Sequence, residues 1–195
     1  MEIDCINENI VFVAASHSTN GLFGGSRYGD SVFVSRDGAN TWEEIQTPED
    51  FGGEGMSWVS PEEGYLMGTE QPVTGLQPKI LYYTNDAGKN WNIIAKSDPL
   101  TEKNTDEHNA LPLVGYPDGI KFFKNGTGYI GSMRGTLLKT TDKGKTYNPV
   151  NFTNETDVIP VPCFVSEDEG HAISADTKLV HTIDGGNTWE EVWPK

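Results

Sequence analysis

The chain has little cysteine, few basic residues and no long apolar run, and each shortage argues against a class of protein. Its 195 residues include only Cys5 and Cys163, too few for a disulfide framework or a cysteine metal site. Lysine and arginine total 14 against 29 acidic residues, and the formal charge of −15 repels nucleic acid and anionic membrane surfaces. No apolar run approaches the ~20 residues that span a bilayer. We therefore predict no nucleic-acid binding, no membrane insertion and no cofactor.

The chain contains one short phrase four times. The phrase reads "SRDGANTWEEI" (35–45), "TNDAGKNWNII" (84–94), "TTDKGKTYNPV" (140–150) and "TIDGGNTWEEV" (182–192). The aspartates of consecutive copies lie between 42 and 56 residues apart. Repeats at such a period are typical of propellers, solenoids and related arrays, so the repeat predicts the architecture of the whole chain.

Each phrase follows a short β-type run and, before it, a hairpin, so each unit holds four strands in series, here called A, B, C and D. The hairpins read "MSWVSPEEGYLMG" (56–68), "IKFFKNGTGYIGS" (120–132) and "CFVSEDEGHAISA" (163–175), and more loosely "IDCINENIVFVAA" (3–15). Period-two alternation predicts strands throughout, and only residues 98–111 suggest a helical turn. Four-stranded units of this size predict an all-β propeller of four antiparallel blades, at approximately 1–48, 49–98, 112–153 and 157–195 in a single domain.

The phrase itself predicts a tight turn between strands C and D. An aspartate there can accept hydrogen bonds from backbone N–H groups two or three residues on. Gly88, Gly144 and Gly186 can supply the positive φ that such turns need. The aromatic residues of the phrase are expected to fold back as apolar plugs between strands or blades. The structural residues predicted are Asp37, Trp42, Asp86, Trp91, Asp142, Tyr147, Asp184 and Trp189.

The pattern Ser/Thr-x-Asp-x-Gly-x-Thr-Trp resembles the Asp-box of the bacterial neuraminidase repeat. The first copy has Ala39 in place of the glycine, the second has Asn90 for threonine, and the third has Tyr147 for tryptophan. The "WVSPEEGYLMG … ILYYTNDAGKNW" arrangement is most similar to the photosystem II stability/assembly-factor type of Asp-box propeller found in bacteria. This resemblance covers essentially the whole chain. It implies that the boxes are structural and lie on the face away from the ligand.

Four complete blades predict a ring that closes on itself in a monomer. In such a ring the A strands carrying Cys5 and Cys163 are neighbours, and an oxidant should cross-link them if the side chains face each other. Related propellers usually have more blades, so an incomplete ring or an assembly of copies is the alternative.

The long connections predict where a ligand binds. Strand alternation puts the A–B and C–D turns on one face, and the B–C loops with the D-to-A connections on the other. The B–C loops 17–30 and 70–78 and the connection 97–117 all fall on the second face, and long loops in compact domains are generally functional. We predict ligand contacts from the aromatic and cationic residues of these segments, namely Phe23, Arg27, Tyr28 and Tyr116.

The residue set argues against most enzymes built on this repeat. Sialidases of this type grip a carboxylate with three arginines. The chain has only Arg27, Arg36 and Arg134, and Arg36 lies inside a box turn. A pair of carboxylates, as in glycoside hydrolases, stays open; the loop-face candidates are Asp30, Glu70, Asp106, Glu107 and Asp118. His171 and His181 face each other across a predicted hairpin but have no evident third metal ligand, so we predict no metal site.

These features favour a non-enzymatic binding or scaffold propeller that presents its loop face to a protein or peptide. The alternative is a carbohydrate-active domain, either a lectin-like binder or a glycoside hydrolase, with aromatic residues as sugar platforms. The acidic composition suggests a basic or neutral partner. The sequence alone does not indicate the compartment. The resemblance implies a membrane-protein segment as partner and an exported, cell-envelope location, with any leader absent from this chain.

Overall fold

The computed structural model describes residues 2–20, 26–70, 72, 75–97, 108–133, 137–150, 161–173 and 177–193. These residues form seventeen strands and no helix. The first sheet holds β1 (Glu2–Cys5), β2 (Val11–Asn20), β3 (Ser26–Ser35) and β4 (Glu43–Ile45). The second holds β5 (Phe51–Trp58), β6 (Gly64–Thr69), β7 (Lys79–Thr84), β8 (Asn92–Lys96) and β9 (Asn109–Ala110). The third holds β10 (Tyr116–Phe122), β11 (Gly128–Met133), β12 (Leu137–Thr140) and β13 (Asn148–Val150). The fourth holds β14 (Cys163–Phe164), β15 (Gly170–Ile173), β16 (Leu179–Thr182) and β17 (Glu190–Trp193).

Each sheet is built from strands paired in sequence order, which is the pattern of a propeller blade. All pairings are antiparallel except that of β8 with β9, which adds a short parallel fifth strand to the second sheet. The predicted fold class, four four-stranded antiparallel blades with a box in each C–D turn, is confirmed. The helical turn suggested for residues 98–111 is wrong where it can be compared, because Asn109 and Ala110 are a strand; residues 98–107 lie outside the described part.

The four Asp-boxes share one hydrogen-bond pattern. The Ser or Thr that opens each box donates its hydroxyl to Oδ1 of the aspartate at 2.8–2.9 Å. The same Oδ1 accepts the backbone N–H four residues on, at 2.8–3.0 Å. In the first and third boxes it also accepts the N–H three residues on, as predicted, at 3.1 and 3.0 Å. Oδ2 accepts the side chain of that fourth residue at 2.7 Å. These donors stabilise the ionised carboxylate, and the Asn90 amide in particular lowers the pKa of Asp86 to about 2.

Two consecutive residues with positive φ reverse the chain in every box. The pairs are Gly38–Ala39, Ala87–Gly88, Lys143–Gly144 and Gly185–Gly186. The departure at Ala39 therefore does not change the turn, since alanine itself adopts a φ of 68° there.

Adjacent blades are joined by stacked aromatic rings near the inner strands. Trp58 of β5 stacks on Phe12 of β2, with centroids 3.8 Å apart and planes 6° from parallel. Phe122 stacks on Tyr65 in the same way at 3.9 Å, and Phe164 on Tyr129 at 4.0 Å. The first ring of each pair ends strand A of one blade, and the second ring lies on strand B of the blade before it.

A glycine opposite each strand-A ring makes this stacking possible. Gly64, Gly128 and Gly170 pair in register with Trp58, Phe122 and Phe164. A Cβ added at any of the three glycines would come within 3 Å of the paired ring. The ring thus lies flat over the glycine backbone, and the hydrophobic core divides into three clusters, one between each pair of consecutive blades.

The box aromatics pack toward the preceding blade, which explains why one of them is exposed. Trp91 donates its indole N–H to the carbonyl of Gln46 in the first blade at 2.9 Å. Tyr147 packs against the core cluster between blades two and three, and Trp189 against that between blades three and four. Trp42 belongs to the first blade, and the described part of the chain places no blade before it. The Trp42 side chain is 42% exposed, whereas the sequence predicted that it would be buried as an apolar plug.

The first and fourth blades do not cover each other in the described part of the chain, so the predicted closed ring is not what the structure shows. We call the side of blade one that carries Ile3, Cys5 and Trp42 its leading face; Ile3 is 65% exposed and Trp42 42%. We call the side of blade four that carries His171, Ile173, Leu179, His181 and Trp193 its trailing face; Ile173 is 53% exposed and Trp193 62%. The equivalent positions in the second blade, Met56 and Met67, are 4% and 0% exposed because a neighbouring blade covers them. Cys5 and Cys163 are both free and exposed.

Candidate binding face

A long β-hairpin dominates the face opposite the Asp-boxes. Strands β2 and β3 are each ten residues long, and their pairing runs without a break from Val11↔Ser35 to Asn20↔Ser26. The equivalent strands of the other blades have six residues or fewer. The prediction of a loop at 17–30 is therefore wrong for most of its length: the Gly- and Ser-rich composition suggested irregular structure, but continuous cross-strand hydrogen bonding extends the hairpin.

The predicted ligand residues are only partly located by the structure. The backbones of Arg27 and Tyr28 lie in β3, paired with Thr19 and Ser18. Tyr116 begins β10 opposite Met133, is half-buried, and lies on the same face of the propeller. Phe23 lies outside the described residues, as do the side chains of Arg27 and Tyr28. A shared ligand site for these residues stays a prediction.

Sequence reasoning missed a buried lysine that holds the connection between blades two and three. Lys79 has no exposed surface. Its ammonium donates to the carbonyl oxygens of Gln77, Val114 and Gly115. Burial lowers the pKa of Lys79 to about 8. Because these carbonyls lie in the segments before β7 and before β10, the lysine fixes two connections of the loop face to the second blade.

Charged residues of the first and third blades meet along their inner strands. Asp4 accepts the N–H of Trp58 at 2.7 Å and pairs with Lys121 of the third blade at 3.5 Å. The Glu2 carboxyl reaches toward Gly119 of the same strand as Lys121. Desolvation, aided by the charges of Asp4 and Asp118, raises the pKa of Glu2 to about 7. The Glu2 carboxyl is thus partly protonated near neutral pH.

Two clefts lie on the other face, beside the boxes. One, of about 290 Å³, is lined by Tyr83, Ile93, Ile94, His108, Asn109, Lys143 and Lys145. The second, of about 370 Å³, lies between the outer strand of blade one and the box of blade two. Both occur where a box packs against the outer strand of the preceding blade, so we attribute them to blade packing.

Two further searches cover only the described residues. Among them, no three His, Cys, Asp or Glu side chains are grouped so as to hold a metal ion. His171 and His181 stack with ring centroids 4.4 Å apart, and His181 contacts Glu169 at 3.2 Å. The same residues include no helix long and apolar enough to cross a membrane.

A signal for the inter-blade stacks was present in the sequence. An aromatic residue is followed six positions later by Gly and then by a second ring, in Trp58–Gly64–Tyr65, Phe122–Gly128–Tyr129 and Phe164–Gly170–His171. Lys79 gave no such signal, since its partners are backbone carbonyls from distant segments.

Residues 99–194, just under half of the chain, match the protein family described as "Photosynthesis system II assembly factor YCF48". Among solved structures, YCF48 bound to D1 peptide is 23% identical with a TM-score of 0.58, over 96% of this chain and 52% of that one. YCF48 from Cyanidioschyzon merolae is 14% identical with a TM-score of 0.47, over 71% of this chain and 36% of that one. The GH74 enzyme of Niastella koreensis is 13% identical with a TM-score of 0.39, over 95% of this chain and 39% of that one.

No curated protein matches the chain. The chain spans about half the length of the first of these structures, and at this identity the likeness shows the fold alone. The four boxes, the four sheets and the family match agree with one another. The chain is therefore an Asp-box β-propeller, and it is similar to the photosystem II assembly-factor type of that repeat family.

Proposed function

We propose that this chain is a non-enzymatic binding propeller that recognises a protein or peptide through the face opposite its Asp-boxes. The observation that carries the proposal is the β2–β3 hairpin, which extends four residue pairs beyond the six-residue strands of the second blade. A hairpin that extends past the body of a sheet offers unpaired backbone edges and side chains to an extended segment. The polar groups of the Asp-boxes on the other face form hydrogen bonds within their own turns, and we assign the boxes a structural role.

The comparison with YCF48 supports the same kind of ligand. That protein was solved with a peptide of D1 bound. This chain shares the fold of YCF48 over about half the length of YCF48. The proposal that this chain also binds a peptide therefore rests on the shared fold and on the hairpin together. The formal charge of −15 favours a basic or neutral segment. We infer an extracytoplasmic location from the family resemblance alone.

The proposal is tested by selecting peptides from a random display library on the immobilised chain and measuring their affinity by fluorescence anisotropy. In the test variant, residues 17–29 are replaced by Asn-Gly, which joins the registered pair Ser16↔Asp30 through a two-residue turn. We expect the selected peptides to bind the intact chain and to lose at least tenfold in affinity with the shortened hairpin.

The matched control is Asp142→Ala, which alters a box on the opposite face. This variant loses the carboxylate that accepts hydrogen bonds from Thr140 and Thr146. We expect its free energy of unfolding to be lower by about 1–3 kcal/mol and its peptide affinity to be unchanged. Unchanged binding by the shortened hairpin, or lost binding by folded Asp142→Ala, would refute the assignment of faces. A parallel glycan array covers the alternative: saturable binding or cleavage of one glycan class would replace the peptide proposal with a carbohydrate-active domain.

A further inference from the structure

The two open ends of the molecule are built like the faces that pack inside it. Inside the arc, a strand-A residue of one blade lies over a strand-B ring of the blade before. On the leading face of blade one, Cys5 holds the position of Trp58, Phe122 and Phe164, as its register with Val11 shows. On the trailing face of blade four, His171 holds the position of Phe12, Tyr65 and Tyr129. Each end therefore presents one half of an inter-blade contact.

The leading face of blade one carries a different residue pair from the internal blades, but the two pairs have nearly the same summed volume. Internal blades combine a large strand-A residue with glycine opposite, as in Phe122 and Gly128. Blade one instead combines Cys5 with Val11. Because valine fills the space over the sheet that the missing ring would occupy, the Cys–Val pair has nearly the summed volume of the Phe–Gly pair. Volume-conserving exchanges of this kind are those that packed interfaces tolerate best.

Polar contacts at the internal junctions indicate which residues would meet at a new one. Asp4 and Ser57, which pair with the strand-B rings Phe12 and Tyr65, accept the N–H of Trp58 and Phe122 in the next blade at 2.7 and 2.9 Å. The equivalent residue in blade four is Cys163, paired with His171. A blade one docked on this face would place the backbone of its Cys5 beside Cys163.

We propose that the trailing face of blade four docks on the leading face of blade one in a second copy of this chain. The contact is heterologous, so each copy can use both of its ends, and two copies close into one ring with two identical junctions. The junction covers Ile173 and Trp193 of one copy and Ile3 and Trp42 of the other, the large apolar side chains left 42–65% exposed at the two ends. This assembly replaces the closed monomer predicted from the sequence.

The first test measures the mass of the purified chain by sedimentation equilibrium across a concentration series. We expect a dimer that Ile3→Asp and Trp193→Asp each convert to monomer. Each variant damages one partner surface in every copy, and both side chains are exposed enough for folding to survive. Ile183→Asp is the matched control: Ile183 is 73% exposed but lies in a box turn, off both faces, and the dimer should persist.

Mixing the two variants tests the heterologous geometry. The Ile3→Asp copy keeps its trailing face and the Trp193→Asp copy keeps its leading face, so an equimolar mixture should regain one junction and form a mixed dimer. A dimer that survives either single substitution, or a chain that stays monomeric at every concentration, would overturn the proposal.

Cysteine cross-linking provides a second readout that identifies the contact. Copper phenanthroline with oxygen accepts two electrons from a pair of thiols, which release two protons as the disulfide forms. We expect a Cys5–Cys163 bond between copies, giving twice the 21.4 kDa chain mass on a non-reducing gel. Cys5→Ser or Cys163→Ser alone should prevent it, and their mixture should restore one bond. A bond within a single chain would support the closed monomer and refute the dimer.

Discussion

At the scale of single residues, the Asp-boxes could be predicted from the sequence because their hydrogen bonds join residues only a few positions apart. A carboxylate that follows a hydroxyl residue and precedes turn-forming residues favours a tight turn in which the carboxylate accepts hydrogen bonds from the backbone. The sequence did not reveal that Ala39 and Lys143 would adopt positive φ, because neither residue favours that conformation in isolation. Three hydrogen bonds to the aspartate carboxylate in every box stabilise this reversal, as in the first box.

Lys79 leads to a prediction at the same scale. In the folded chain the pKa of Lys79 is lowered to about 8 by burial, against 10.5 when unfolded. Between these values the unfolded state holds the proton that the folded state has released, so the unfolding free energy rises with pH, by up to about 3 kcal/mol in all. Below pH 8 both states are charged, and the cost of burying the ammonium is fully present.

The measurement is urea denaturation of the wild type and Lys79→Met at pH 7.5 and pH 10. We expect the wild-type minus variant difference in unfolding free energy to increase with pH. Titration of the tyrosines above pH 10 is common to both chains and cancels. Lys89→Met, at an exposed lysine, is the control and should show no such increase. A flat difference for Lys79 would mean that its three carbonyl partners offset the effect of burial.

At the scale of elements, the order and type of the strands were predictable, but the length of the first hairpin was not. Alternation of apolar and polar residues marks a strand only where one face is buried. Residues 17–30 carry Ser, Asn and Gly without such alternation, so their pairing depends on backbone hydrogen bonds that composition does not encode. The inter-blade stacks needed two units to be compared, since each strand-A ring belongs to one blade and the strand-B ring on which it stacks belongs to the blade before it.

The ring-over-glycine contact predicts a non-additive mutant cycle in blade three. Phe122→Cys should cost about 3–5 kcal/mol, because it empties a fully buried site stacked on Tyr65. Gly128→Val should also destabilise, because its side chain would collide with the Phe122 ring. The double variant reproduces the Cys5–Val11 pair of blade one, and we expect it to be more stable than the sum of the single losses predicts.

Thermal or urea denaturation of the four chains gives the coupling energy. A favourable coupling of more than about 1 kcal/mol would support the volume exchange at the leading face. Additive losses would show that Cys and Val do not replace Phe and Gly, and would weaken the argument that blade one is built to be covered. Val180→Ala, in the cluster between blades three and four, serves as a distant control and should add to either single substitution.

At the scale of the whole molecule, the fold class followed from the repeat, whereas ring closure did not. The ring closes only if the three internal junctions turn the chain far enough for the first and last faces to meet. The angle at each junction depends on how the side chains pack, which the amino-acid composition does not give. The sequence could show that Cys5 and Cys163 occupy matching strands. It could not show that Trp42 and Trp193 would both be left exposed at opposite ends of the arc.

Net charge separates the two proposed interactions by their response to salt. Each copy carries −15, so two copies repel, and the repulsion is screened as the Debye length shrinks from ~10 Å at 0.1 M to ~3 Å at 1 M. The junction itself is largely apolar. We therefore expect the dimer dissociation constant, measured by sedimentation, to fall several-fold as sodium chloride rises from 0.05 to 0.5 M. Affinity for a basic peptide at the hairpin should weaken over the same range, because screening removes an attraction there.

Ile183→Asp adds one negative charge per copy outside the junction, and its dimer should depend on salt slightly more steeply than the wild type. A dimer that weakens as salt rises would contradict an apolar junction. It would indicate that opposite charges hold the copies together.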